Sequence, residues 1–208
     1  MDKIDRFDIL QEMVNIGFGS CSSAIADLFN VFVTMRVPRI CDISASGVRD
    51  YLINEIGLME RVNVVRQIFR GDFCGEAVVV FPEWSDSIQA TLTANFSDQY
   101  LPDLEIMQEE ILLELGNITV GACIGKIAEL LNTVLSYSVP QIVLKKASIS
   151  QLCSRNLETG REEPILIIDN VLSIDDQKFK FYLFIILNSN SLSWLYQVLD
   201  KESESLCM

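Results

Sequence analysis

The chain has 208 residues, half of them hydrophobic and 22% charged. That length and balance suit one large or two small globular domains with a sizeable core, and exclude a largely disordered chain. A formal charge of −13, from 16 basic and 29 acidic residues, argues against nucleic acid or anionic lipid as the main partner. The absence of histidine removes His-activated nucleophiles, His general bases and His-containing metal sites. Chemistry must come from carboxylates, amides, hydroxyls, thiols or a partner's own active site.

Ile4, Phe7, Met13, Ile16, Ala24 and Leu28 recur at mixed three- and four-residue steps and predict a long first helix. Gly17 and Gly19 each cost such a helix about 1 kcal/mol relative to Ala, which points to close packing against another backbone or to a bend. Val31–Val37 has the pattern of a strand, with Pro38 at its end where no ladder donor is needed. Residues 42–58 leave loop and helix open. Val62–Ile68 and Glu76–Phe81 predict two strands joined by the turn signal Arg70-Gly71-Asp72, followed by a short amphipathic segment, Trp84–Leu92. The stretch 95–103 is a short connector holding Phe96, Tyr100 and Leu101. A second long helix is expected from about Leu104 to Leu131. Strands follow near Thr133–Val139, Ile142–Ile149, Ile165–Ile174 and Lys178–Leu187. Asn156–Pro164 and Asp175-Asp176 carry turn signals. Ser191–Leu199 predicts a closing helix and Ser203–Met208 a frayed tail. Runs of strands with few helices indicate an α+β fold built on a mainly antiparallel sheet with two long helices.

The cysteines at 21, 41, 74, 123, 153 and 207 form no C-x-x-C pair, so free buried thiols in a reducing compartment are expected. The N-terminus lacks the basic-then-apolar order of a signal peptide. The longest apolar run, Phe181–Leu187, is far short of the ~20 residues that span a bilayer. A cytoplasmic protein without membrane insertion is expected.

Residues 12–40 match residues 114–142 at 12 of 29 positions, without a gap, at an offset of 102. The identities are Glu12/Glu114, Asn15/Asn117, Ile16/Ile118, Gly19/Gly121, Cys21/Cys123, Ile25/Ile127, Ala26/Ala128, Leu28/Leu130, Asn30/Asn132, Val37/Val139, Pro38/Pro140 and Ile40/Ile142. Such density indicates an internal duplication: one domain over 1–208 made of two repeats, about 1–100 and 101–208, with pseudo-twofold symmetry and one shared core. Most of these identities are apolar or small and are explained by packing. Glu12 with Asn15 and Glu114 with Asn117 are not. A spacing of i, i+3 places both on one helix face, and Asp8 extends that stripe by one turn. A lone Glu-x-x-Asn is most simply a solvated face, but solvated faces drift between duplicated halves and this pair persists in both.

Asp8-x3-Glu12-x2-Asn15-x22-Pro38 resembles the signature of the CheC/CheX/FliY chemotaxis phosphatases: Asp or Ser, three residues, Glu, two residues, Asn, then 22 residues to Pro. The second copy keeps Glu114, Asn117 and Pro140 at the same spacings and departs at the first position, where Glu110 stands. Length, duplication and two motif copies look most like the CheC type. The resemblance implies a CheC-like domain that hydrolyses the aspartyl phosphate of a CheY-like response regulator. Asn15 and Asn117 would orient water. Glu12 and Glu114 would pair with the regulator's active-site lysine, with Asp8 and Glu110 in support and Pro38 and Pro140 shaping the fold. No metal or cofactor is expected on this chain, because the regulator would carry the Mg²⁺. Glu110 makes the second site the weaker expectation. The alternative is a non-catalytic adaptor for a regulator or for a CheD-like receptor deamidase.

Overall fold

The computed structural model describes residues 6–44, 47–56, 61–85, 90–94, 103–152, 164–174, 177–187 and 189–206. Its elements are α1 (Arg6–Phe29), β1 (Val33–Met35), β2 (Arg39–Ser44), α2 (Val48–Ile56), β3 (Arg61–Arg70), β4 (Gly75–Pro82), α3 (Leu104–Leu130), β5 (Ser136–Tyr137), β6 (Gln141–Ser148), α4 (Ile149–Leu152), β7 (Pro164–Ile174), β8 (Gln177–Leu187) and α5 (Ser189–Leu206). The fold is α+β around one antiparallel sheet, as the pattern of elements predicts.

The eight strands run in the order β1-β7-β8-β4-β3-β5, with β2 also on β7 and β6 also on β3. The β4–β8 pair is central, with Ala77 opposite Ile185. β1 and β2 do not pair with their sequence neighbours; they lie on β7, with Arg39 opposite Asp169. β5 and β6 lie on β3, with Gln141 opposite Arg66. Early strands are thus completed by late ones in both directions.

Helices cover both faces of the sheet. Val65, Phe69, Val79, Phe81, Ile168, Leu183 and Ile185 pack beneath α1, α3 and α5. Their strand neighbours Val64, Val78, Val80, Ile167, Tyr182 and Phe184 pack against Val48 and Leu52 of α2 and Ile149 and Leu152 of α4. This two-sided burial explains the near-continuous apolar runs of β4 and β8. The same burial accounts for α3, whose residues Glu105–Leu130 are long and apolar enough by composition to cross a membrane. Over half of that apolar window is buried inside the fold, so its apolarity is that of a core helix.

Both long helices end in the same way. Asn30 (φ 49°) and Asn132 (φ 53°) adopt the left-handed conformation. The next residue's N–H then reaches back to the carbonyl five residues earlier, Val31 to Ala26 at 3.2 Å and Thr133 to Ala128 at 2.9 Å. This is a Schellman cap, and Asn is among the few side chains that tolerate its αL position. The cap gives Asn30/Asn132 and Ala26/Ala128 a structural reason.

Three features differ from the sequence reading. The strands expected over 31–37 and 133–139 are shortened to Val33–Met35 and Ser136–Tyr137, and a further strand, β2, follows Pro38. The ambiguous 42–58 stretch supplies the end of β2 and then α2. The expected tail is helical to Leu206 with Ser203 buried, because α5 packs Leu195 and Leu199 into the core and Trp194 on Phe73 with ring centroids 5.4 Å apart. Arg6 of α1 lies 4.8 Å over the Tyr196 ring of α5. The connector at 95–102 and the turns over 153–163 and 175–176 lie outside the described residues.

A Cβ added at Gly17 would stand 3.0 Å from Cys123 Cα and 3.1 Å from the Ala122 carbonyl oxygen, whereas one at Gly19 meets nothing within 4 Å. Gly17→Val is expected to lower stability by about 2 kcal/mol through overpacking. Gly19→Ala is expected to raise it by up to about 1 kcal/mol. Urea unfolding midpoints check both.

Candidate functional site

The two motif helices cross in antiparallel sense. Gly17 of α1 meets Cys123 of α3, and the Cys21 thiol donates to Thr119 Oγ1 at 3.8 Å. Thr119 in turn donates to the Leu115 carbonyl at 2.7 Å. The seam between the helices is therefore built of small and weakly polar residues that allow close approach. Burial pushes the Cys21 thiol up from 9.0 to about 12, partly opposed by its hydrogen bond to Thr119. Burial, reinforced by the neighbouring Cys21, pushes Cys123 well above its usual value. Both thiols are free and neutral.

With the seam and the sheet occupying the inner faces, the motif stripes are turned outward. Leu10, Val14, Phe18, Ile111 and Leu115 point into the core. Asp8 and Glu12 are exposed and Asn15 half-buried; Glu110 and Asn117 are exposed and Glu114 half-buried. Among the described residues, neither Glu12 nor Glu114 belongs to an ion pair. The register pairing Gly17 with Cys123 and Cys21 with Thr119 centres the crossing at Gly19 and Gly121. Each Asn lies four residues before that centre on its own helix. At about 1.5 Å rise per residue, the two amides are displaced in opposite directions by roughly 12 Å in total along the axis. The structure brings Glu12 together with Asn15 and Glu114 together with Asn117, and forms two platforms rather than one composite centre.

A loop flanks each platform. Pro38 is buried, and its carbonyl accepts a hydrogen bond from Gln11 Nε2, which ties the loop before β2 to the helix turn carrying Glu12. Pro140 is half-buried in the loop before β6. There Ser138 N donates to the Ile68 carbonyl at 2.9 Å and Ser138 Oγ accepts from Ile68 N at 3.0 Å. Gln67 Nε2 donates to the Ser138 carbonyl at 2.8 Å, with a longer 3.4 Å contact to Asn117 Oδ1. Beside the prolines, Val37 and Val139 are 69% and 78% exposed. Gln11, Gln67 and Ser138 were not among the sequence candidates. Gln67 had a signal: on β3 it interrupts the core-facing alternation Val65, Gln67, Phe69 with an amide, and it is only 4% exposed.

Both platforms are formed by exposed and half-buried residues on the outer helix faces. A cleft of about 460 Å³ lies elsewhere, lined by Asn63, Trp84, Glu105, Glu109, Lys145 and Lys146 among others, with no motif residue in its wall. Among the described residues no group of three or more Cys, Asp or Glu side chains is placed to hold a metal. An outward carboxylate and amide on a rigid helix, flanked by an exposed valine, can grip a cation and orient a water on a partner that docks against them.

The buried thiols under the platforms set a pH limit. Below about pH 9 they are protonated in both folded and unfolded chains; above it the unfolded thiols ionise while the folded ones stay neutral. Stability is therefore expected to fall as pH rises from 9 toward 12, by roughly 1 kcal/mol per pH unit per thiol. Urea midpoints between pH 8 and 10.5 check this, and Cys123→Ala should flatten the slope.

Comparison with known proteins gives four matches. The family model described as the CheC-like family matches residues 8–41, the stretch from Asp8 through the loop of Pro38. The CheY-P phosphatase CheC of Bacillus subtilis (strain 168) is 27% identical over 209 residues, 95% of either chain. The crystal structure of Thermotoga maritima FliY superposes with a TM-score of 0.68 at 16% identity, covering 94% of this chain and 96% of that one. A FliM middle domain (51–229) from Vibrio alginolyticus superposes at 0.60 with 10% identity, over 93% and 99% of the two chains. The resemblance in motif, in sequence over nearly the whole length and in fold therefore holds.

Proposed function

We propose that this chain, which resembles the CheC-like family, is a cytoplasmic phosphatase that accelerates loss of the aspartyl phosphate from a CheY-like response regulator. The observation that carries the reading is the pair of outward Glu-x-x-Asn platforms, Glu12 with Asn15 and Glu114 with Asn117, on two helices packed closely against each other. The B. subtilis relative, named a CheY-P phosphatase, supports the choice of substrate. The exposed Val37 and Val139 suit a macromolecular partner better than a small ligand.

The substrate is an acyl phosphate. Water attacks phosphorus, the P–O bond to the regulator's carboxylate breaks, and inorganic phosphate leaves. Magnesium, held by the regulator, would neutralise charge on the phosphoryl oxygens. No nucleophile or general base is demanded of this chain, which fits a sequence without histidine. The amide of Asn15 or Asn117 accepts a hydrogen bond from the water through Oδ1 and holds the water's lone pair in line with phosphorus. Such orientation removes several kcal/mol from a barrier, as the Gln of small GTPases does for an attacking water. The carboxylate of Glu12 or Glu114 grips an ammonium on the regulator and sets the docking register. Desolvated charge pairs fix geometry more reliably than they add affinity. Glu110 carries one turn before Glu114 the same charge that Asp8 carries before Glu12, on a longer side chain, and Asn117 is exposed where Asn15 is half-buried, so the two platforms differ in reach and presentation.

Asn15→Ala and Asn117→Ala are each expected to remove one platform's share of the rate, and together all of the acceleration, with the urea midpoint unchanged. Phosphate release from a receiver domain phosphorylated with acetyl phosphate and Mg²⁺ measures this. Full activity in the double variant would sink the assignment, and binding without acceleration by the unmodified chain would favour an adaptor. Glu12→Gln with Glu114→Gln should raise the half-saturating receiver concentration about tenfold, on the order of 1.4 kcal/mol, more than it lowers the saturated rate. Titration of the same assay checks this.

A further inference from the structure

The geometry points to Gln67 as a positioning residue that holds the Asn117 amide in one of its two possible orientations, so that platform two is preset before a partner arrives. The inference rests on the reading of Asn117 as the water-orienting group, and it concerns a residue on a different element, β3.

The argument is one of hydrogen-bond polarity. A backbone carbonyl only accepts. Gln67 Nε2 lies 2.8 Å from the Ser138 carbonyl, so the end of the Gln67 amide facing that loop must be its NH₂. The same nitrogen is 3.4 Å from Asn117 Oδ1. Asn117 must therefore present its oxygen to Gln67, and its NH₂ is turned away toward the exposed surface. A second lone pair on Oδ1 remains for a water. The relay thus runs from the Ser138 carbonyl through Gln67 to Asn117, and a solvated asparagine that would otherwise flip between two states is given one polarity.

The Ser138 end of this relay is anchored on both sides, by the Ser138 N–H to the Ile68 carbonyl and by Ile68 N–H to Ser138 Oγ. Gln67 itself is walled by Val65 and Phe69 on the core face of β3. Its own Oε1 is buried with no hydrogen-bond partner among the described residues. A buried amide with one orphaned oxygen carries a desolvation penalty that an apolar side chain at this core position would not. Orientation of Asn117 accounts for what stability alone does not.

The test is Gln67→Met, which keeps volume and removes the donor, made in the full-length chain. In the Asn15→Ala background, where platform two acts alone, the saturated dephosphorylation rate is expected to fall about tenfold while the half-saturating receiver concentration stays within twofold. In the Asn117→Ala background the same substitution should bring no further loss, because its effect passes through Asn117. Independently of turnover, ¹⁵N relaxation of the Asn117 side-chain amide should show a rigid group in the unmodified chain and an order parameter below about 0.6 with Gln67→Met. Equal loss of rate in both backgrounds would overturn the proposal as a general structural effect, as would an amide equally mobile with and without Gln67. A chain with no phosphatase activity but with an amide ordered by Gln67 would overturn the phosphatase reading and leave the positioning role standing.

Discussion

Everything outward-facing on this protein depends on how closely α1 and α3 approach. Gly17 lies against the backbone of Cys123, and Cys21 reaches Thr119 across the seam. A helix held on one side by a glycine contact and beneath by Leu10, Val14 and Phe18 resists rotation about its axis. The side chains left on its outer face inherit that rigidity. The proposed catalysis by orientation would need this, because a water held loosely contributes little to in-line attack. The fold thus spends its apolar packing on fixing the azimuth of two asparagines.

A shared fold does not fix a function, which is carried by residues grafted on the scaffold. The same architecture superposes on a FliY and on a FliM middle domain at 16% and 10% identity. The loops flanking the platforms are held by polar contacts to the motif helices and to β3, Gln11 to Pro38 and Gln67 to Ser138, so that each platform combines a helix with a loop.

Much of this was legible in the sequence, for identifiable reasons. The long helices and the β3–β4 and β7–β8 strands carry strong periodicity or long apolar runs, and local pattern placed them within a few residues. The i, i+3 spacing of Glu12 with Asn15 put both on one face without reference to anything distant. β2 was missed because its segment carries no alternation of its own; it is a strand by virtue of pairing with β7, more than 120 residues away. The helical end of the chain was missed for the same kind of reason, since Ser203 is buried only because α5 docks on the core. Gln67 could be noticed locally as a polar break in a strand. Its partner Asn117 could not, because that contact joins residues 50 apart. Gly17 and Gly19 look alike in sequence, yet only Gly17 touches another backbone.

The exchange of outer strands has a consequence for the order in which the chain acquires structure. β1 and β2 find their partner only in β7, and β3 waits for β5 and β6. As the chain leaves the ribosome, its first hundred residues hold the β3–β4 hairpin with both flanks open and two strands with no ladder. These edges close only when residues up to 187 are available and β8 slots against β4. Contacts of such sequence separation make folding slow, and unpaired edges are sites of misassociation while they last. The first motif, although complete by residue 38, therefore gains its rigid seat only when nearly the whole chain has been made.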